Sequence, residues 1–370
     1  MSKLVFNNSN NAFANSLKKA VDQYFEEKKI AKTGDWRMYT KTFVLLAIGL
    51  TAYWTLMLVD MNIWAAIGLT MFIGVTCAGI GFSVMHDANH GAYSSNSKIN
   101  DAIGLTLNAL GANSYFWKQK HNILHHTYTN IDGIDDDIAK SPIIRQCESQ
   151  VWVPAHKVQH LYLMFVYSLS SLFWILFMDF AKYFGRKING VDAWKLKPIN
   201  HLVFWLTKIN YAIFFVAIPI YYWGVGGWVA GFFIMNMTLG IILALVFQLA
   251  HVVEKTEFEH IPLDTTKHLE SAWAEHQVKT TCNFAMDNPF INWYVGGLNF
   301  QVEHHLFPKI SHVHYPALSK IVQEKCREFN LPYNYYPTMW GALCSHFRFM
   351  KYLGKGPEVA AARVVTAKAA

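Results

Sequence analysis

The stretch IWAAIGLTMFIGVTCAGIGFSVMHDANH, residues 63–90, decides the fold. From Ile63 to Met85 it carries no charged side chain, and a helix of ~20 such residues crosses a bilayer. It then ends in His86-Asp87-Ala88-Asn89-His90, where the i, i+4 spacing sets two imidazoles on one helix face. The reading is a membrane span that delivers paired metal-ligand side chains to one surface.

Working outward, a second apolar run, Thr42 to Val59, precedes the first, with only Asp60-Met61-Asn62 between them. The two form a tight helical hairpin. A second pair runs from about Leu202 to Tyr222 and from about Trp228 to Ala250, and its link, Trp223 to Gly227, holds three glycines. Lys and Arg set the orientation. There are none between Thr42 and Met85, and between Leu202 and Ala250 there is only Lys208. By the positive-inside rule, everything outside the hairpins faces the cytoplasm, both termini included. A further apolar stretch, Leu161–Phe180, would break this parity if it crossed. Ser168, Ser170, Ser171 and Asp179 interrupt it, so it is taken as an interfacial or re-entrant helix; the alternative makes 202–222, with its Lys208, the non-spanning segment.

The expected fold class is therefore all-α and integral to the membrane. Four spans, about 42–59, 63–85, 202–222 and 228–250, form two hairpins beneath a cytoplasmic helical cap that holds a histidine-rich dimetal site. Residues 1–41 are an N-terminal cytoplasmic amphipathic segment; Leu17, Val21, Tyr24 and Phe25 recur at helical spacing, suited to a membrane surface or to a plain solvated helix. Residues 42–350 form one domain, and 351–370 a disordered, Ala-rich tail.

Composition agrees. Of 370 residues, 53% are hydrophobic and 15% charged, against the ~25% charged of a soluble domain. The net charge of +7 fits cytoplasmic loops and not nucleic acid. Five scattered cysteines without a CxxC argue against a disulfide framework or a structural zinc site.

Seventeen histidines stand against that scarcity. A second cluster, His121-Asn122-Ile123-Leu124-His125-His126, puts His121 and His125 on one face and His126 about 100° away. A third is Gln301-Val302-Glu303-His304-His305. All three lie on the face assigned to the cytoplasm. A lone His156-Lys157-Val158-Gln159-His160 is read as a decoy. So many histidines without cysteine exceed one zinc and suit two adjacent metals. Asp87, Glu303 and the run Asp132, Asp135, Asp136, Asp137 are candidates to orient the rings by accepting their free N–H.

In these clusters the sequence resembles the membrane fatty acid desaturase superfamily. Its HxxxH, HxxxHH and (H/Q)xxHH pattern stands here at His86–His90, His121–His126 and Gln301–His305, across roughly residues 35 to 345. Tyr128-Thr129-Asn130 and Leu306-Phe307-Pro308 add to the likeness. The resemblance implies two iron ions that use O2 and two electrons to remove hydrogens from adjacent carbons of an acyl chain. It adds His251, at the end of the fourth span, as an eighth histidine ligand. Gln301, opening the third cluster, resembles front-end desaturases, which place a new double bond between an existing one and the carboxyl end; it would bind metal directly or through water. The substrate would be an acyl-lipid or acyl-CoA. No His-Pro-Gly-Gly haem motif occurs, so the electron donor is expected to be a separate ferredoxin or cytochrome with its reductase, and the form looks like that of a bacterial inner-membrane enzyme. A membrane hydroxylase or ketolase would share the ligands. A histidine-rich metal transporter is the rival of another class; it predicts ionisable residues within the spans, where almost none stand.

Overall fold

A computed structural model describes residues 4–7, 11–135, 137–138, 142–188, 191–193, 195–260, 268–269 and 271–356. Asp136 and the tail after residue 356 lie outside them. The described chain is mostly helical, and its β structure is confined to two-residue bridges.

Helix α1 (Ala12–Lys28) buries Phe13, Leu17, Val21 and Phe25. That face packs on protein, against Phe300, Val302, Leu318 and Val322. The amphipathic spacing expected for this segment is present, with a protein partner and not a bilayer beneath it.

Helix α2 (Trp36–Leu58) begins before the apolar run because Asp35 caps it, accepting from the Arg37 N–H. Asn62 caps the next helix in the same way, through the Ala65 N–H, so the short 60–62 link ends one helix and starts another. Helix α3 (Ile63–His90) carries span and first histidine cluster as one element, with a π turn over Ile80–Met85 just before His86. Ser114–Lys118 forms α4, prolonged by a second π turn over Gln119–His125.

Helices α5 (Pro154–Ser168) and α6 (Ser170–Gly185) are bent by 55° where they meet. Two of the serines that interrupt this apolar stretch face the next helix. Ser170 Oγ donates to the Gly240 carbonyl at 3.1 Å and Ser171 Oγ to that of Asn236 at 2.7 Å.

Helix α7 (Pro198–His251) counts 54 residues, ~80 Å if straight and far longer than the ~30 Å of a hydrocarbon core. It is not straight. Gly224 has φ 67° and ψ 173° inside it, a conformation that glycine adopts without a Cβ penalty. Beyond this break the chain turns back, and Trp228 Nε1 donates to the Phe215 carbonyl at 2.9 Å. The break falls inside the expected Trp223–Gly227 link. Lys208, the lone cation of this apolar segment, pairs with buried Asp179 of α6 at 2.9 Å and donates to the Gly111 carbonyl at 2.6 Å.

These helices approach closely where side chains are absent. A Cβ at Gly74 of α3 would sit 2.7 Å from the Met235 carbonyl of α7, and one at Gly240 2.6 Å from that of Ser168. Outward they show large apolar side chains: Phe43, Leu50, Trp64, Leu161, Phe165, Leu206 and Tyr221 are exposed. So many exposed large apolar side chains on spans of this length would be unusual on a soluble monomer.

The remaining helices, α8 (Trp273–Thr280), α9 (Gln301–Leu306), α10 (Tyr315–Glu328) and α11 (Met339–Leu353), are smaller, and α9 carries the third histidine cluster. Parallel bridges pair Ile131–Asp132 with Glu259–His260 and Asn283–Phe284 with Tyr335–Tyr336. They tie the loops that follow the second cluster and α7 to the elements around α9.

Candidate metal centre

Three helix ends and one short helix converge on one buried volume. α3 brings His86 and His90, the π turn after α4 brings His121, His125 and His126, α7 ends on His251, and α9 brings His304 and His305. All eight are buried. The nitrogens fall into two groups whose atoms lie within 4.8 Å of one another: His86, His90, His121 and His304, then His125, His251 and His305. His126 lies between them. Its ring stacks on His305 at 4.4 Å and stands edge-on to His304 at 4.6 Å and His90 at 4.8 Å.

A π turn sets the direction of His126. With i→i+5 bonding, residue i+5 stacks over residue i. His126 Nε2 accordingly lies 3.3 Å from His121 Nε2, on the side of the site.

Outer hydrogen bonds fix the rings. His121 Nδ1 meets Asp137 Oδ2 at 3.1 Å, and His125 Nδ1 meets Asp135 at 2.9 Å. His304 Nδ1 meets the Tyr315 hydroxyl at 3.1 Å, and His305 Nδ1 meets Gln277 Oε1 at 2.8 Å. A ring that donates its Nδ1–H is left with a lone pair on Nε2. The Nε2 atoms of His86, His90, His125, His304 and His305 and the Nδ1 atoms of His126 and His251 are buried without a protein partner. So many inward lone pairs would be costly in an apolar interior, and a cation that accepts them removes the cost. The donor set thus fits two metal ions. A third grouping, His121, His125 and Asp137, belongs to the outer shell, since Asp137 meets these rings at Nδ1.

Electrostatics agree. Burial, reinforced by the neighbouring histidines, pushes the pKa values of His126, His304 and His305 well below the usual imidazole range, and burial takes His121 to about 4 despite Asp137. These rings are neutral at pH 7, the form that binds metal. His125 moves the other way: burial lowers it, but Asp135 outweighs burial.

The candidate orienting carboxylates divide. Asp135 and Asp137 stand behind second-cluster rings. Asp87, Glu303 and Asp132 do not meet a cluster ring. Asp87 turns outward, accepts from Ser311 Oγ at 2.7 Å and lies 3.0 Å from His312 Nδ1; His312 in turn meets Lys41 of α2 at 2.8 Å. Glu303 accepts from Asn283 Nδ2 and the Tyr333 hydroxyl, each at 2.8 Å. Both carboxylates tie cluster helices to the surrounding fold: one residue along a helix from a ligand points away from it. Asp132 accepts from Ser149 Oγ. Gln301 Nε2 lies 2.8 Å from His251 Nε2, and its Oε1 is buried without a partner. His156, of the decoy pair, is a structural residue, bonded to the Pro142 carbonyl at 3.0 Å and to the Val153 N–H at 3.2 Å. Gln277 and Tyr315 were missed from the sequence; neither belongs to a cluster, and only folding brings them behind His305 and His304.

A cavity of about 260 Å³ opens beside the first group, lined by His86, His121, Trp117, Gln248 and Gln301 and extending between α3 and α7 along Phe82, Leu239 and Leu243. The class of protein is defined by these features: a helical protein with membrane-span character, whose buried histidine cluster, able to hold metal, borders a largely apolar cavity.

The family profile described as "Fatty acid desaturase" matches residues 62–337. A relative from Arthrospira platensis, named sn-1 linoleoyl-lipid 6-desaturase, is 36% identical over 99% of this chain and 98% of its own. One of the same name from Synechocystis is 35% identical, covering 93% and 96%. An acyl-lipid (8-3)-desaturase from Physcomitrium patens is 34% identical, covering 91% of this chain and 71% of its own. The chain belongs to the fatty acid desaturase family and is an oxidoreductase.

Proposed function

We propose that this enzyme is a front-end acyl-lipid desaturase that adds a cis double bond on the carboxyl side of an existing one, in a chain such as linoleoyl. The observation that carries this reading is the convergence of eight buried histidines beside an apolar cavity, in a chain whose relatives are named for such reactions. His86, His90, His121 and His304 would hold one iron, His125, His251 and His305 a second, with His126 between them and Gln301 beside His251. Two irons held there supply the O2 chemistry and two-electron capacity that hydrogen removal from an unactivated chain requires. The protein's own part is to bind, orient and shield. Phe82, Leu239 and Leu243 exclude water from the chain, while Asp135, Asp137, Gln277 and Tyr315 hold the rings in one tautomer. Electrons would come from a separate ferredoxin or cytochrome with its reductase.

The test supplies linoleoyl and stearoyl lipids separately to a host that lacks polyunsaturated lipids and expresses this gene. Linoleoyl lipid is expected to gain a bond on its carboxyl side, located by mass spectrometry. Exclusive action on the stearoyl chain would refute front-end selectivity and leave the desaturase assignment standing.

The same reading places the enzyme in a bacterial inner membrane. Four spans would form two hairpins, the second turning at Gly224, with the histidine-bearing cap in the cytoplasm. Single cysteines at Asn62 and Lys98, both exposed, are expected to react with impermeant reagents from opposite sides. Labelling from one side would overturn the topology.

A further inference from the structure

A bond counted from the carboxyl end needs a device that fixes that end relative to the metals. A tunnel closed only at its far end would count from the methyl end instead. The cavity wall is apolar along most of its length, with Cys77, Phe82, Leu110, Leu239, Leu243 and Val246. Polar groups gather beside the histidines, where Lys120 and Asp137 are the charged side chains, other than histidine, among the described lining residues.

These two side chains are only 17% and 10% exposed and form an ion pair. The other Asp137 oxygen meets His121 Nδ1 at 3.1 Å, so a single carboxylate separates the Lys120 ammonium from a metal-facing ring. The ammonium lies 5.7 Å from the centre of the Trp174 ring. That ring is itself pinned: its indole N–H donates to Asp179 at 3.1 Å, and Asp179 accepts from Lys208 at 2.9 Å. The lysine is thus held in place on two sides. An ammonium has three N–H donors, and Asp137 is its carboxylate partner among the described residues. A further acceptor can therefore enter from the cavity.

We infer that Lys120 anchors the ester carbonyl of the acyl-lipid substrate and thereby sets which carbons face the metals, an inference that rests on the front-end reading above. An extended chain advances about 1.2 Å per bond, so carbons five or six bonds from the carbonyl lie about 6–7 Å away. An anchor at that end of the cavity, beside the histidines, would present carbons near the carboxyl end to them. Lysine suits the task because its donors are not committed to a planar fork and can follow a carbonyl at the end of a mobile chain.

The experiment expresses wild type, Lys120→Met, Lys120→Gln and Lys120→Arg in the linoleate-fed host, locates the new double bonds, and measures bound iron in each purified protein. In Lys120→Met the wild-type position loses its dominance, bonds at neighbouring positions appear, and turnover at limiting substrate falls about tenfold, the scale of one charge-assisted hydrogen bond. Iron stays at the wild-type level, and Lys120→Arg keeps the wild-type position. Should Lys120→Met fail to fold, Lys120→Gln is read by the same criteria. The inference is overturned if the neutral variant keeps the wild-type position and rate, or if iron falls in step with activity, which would make Lys120 a support for Asp137 and His121. Failure of the front-end reading shows separately, in the wild type alone, as a new bond on the methyl side of the existing ones.

Discussion

His126→Ala abolishes desaturation, by at least about 100-fold, and lowers bound iron in purified, monodisperse protein. The magnitude follows from a lesser case: loss of a group that merely orients a metal ligand costs about 10–100-fold in affinity or activity. His126 has more at stake, because its ring touches members of both histidine groups. The same loss is expected for His86, His90, His121, His125, His304 and His305. The contrast is His156→Gln. His156 is buried but bonds to the backbone of its own loop, so iron per folded molecule is unchanged. Elemental analysis alongside product assay decides. Full iron and activity in His126→Ala would remove the dimetal assignment, and iron loss in His156→Gln would show that the wrong cluster had been chosen.

Asp179→Ala lowers stability by about 3–5 kcal/mol, the cost of leaving one member of a buried ion pair without its partner. Asp179 and Lys208 have side chains only 1% and 9% exposed. Removing the carboxylate leaves the buried ammonium with carbonyl partners alone and frees the Trp174 indole N–H. The pair joins α6 to α7, which otherwise meet through serine–carbonyl bonds and close helix contact. Thermal denaturation in detergent measures the effect as a large fall in melting temperature. The double variant Asp179→Ala with Lys208→Met recovers much of it, because no charge is then buried unpaired. A single variant that melts with the wild type would mean that the pair does not hold these helices together.

Much of this architecture follows from local rules. Asp35 and Asn62 cap the helices on either side of the first hairpin, and an uncharged run from Ile63 to Met85 has few other fates. The glycine-rich 223–227 link contains the break at Gly224. The first cluster closes an apolar run and the third lies on a short helix, and the helical repeat aligns residues four apart.

Other features depend on neighbours distant in sequence. A face such as that of α1 looks the same whether lipid, water or α10 covers it; only the packed fold supplied Val322 and Leu318. Lys208 read as an anomaly in an apolar segment until Asp179, from another helix, came within 2.9 Å. Asp87 and Glu303 adjoin ligands in sequence yet point away from them, because one step along a helix turns a side chain by about 100°. Gln277 and Tyr315 lie outside every cluster and support the rings all the same.

The sequence by itself therefore determined the helical class with its membrane-span character, the histidine clusters and the family, since apolar runs, caps and i, i+4 pairs are properties of contiguous chain. The tertiary structure decided the direction of His126, through a π turn, the partners of each imidazole, and the joining of Lys120 to His121 by one carboxylate. Contacts between segments make most of those choices, and the 3.6-residue helical repeat encodes none of them.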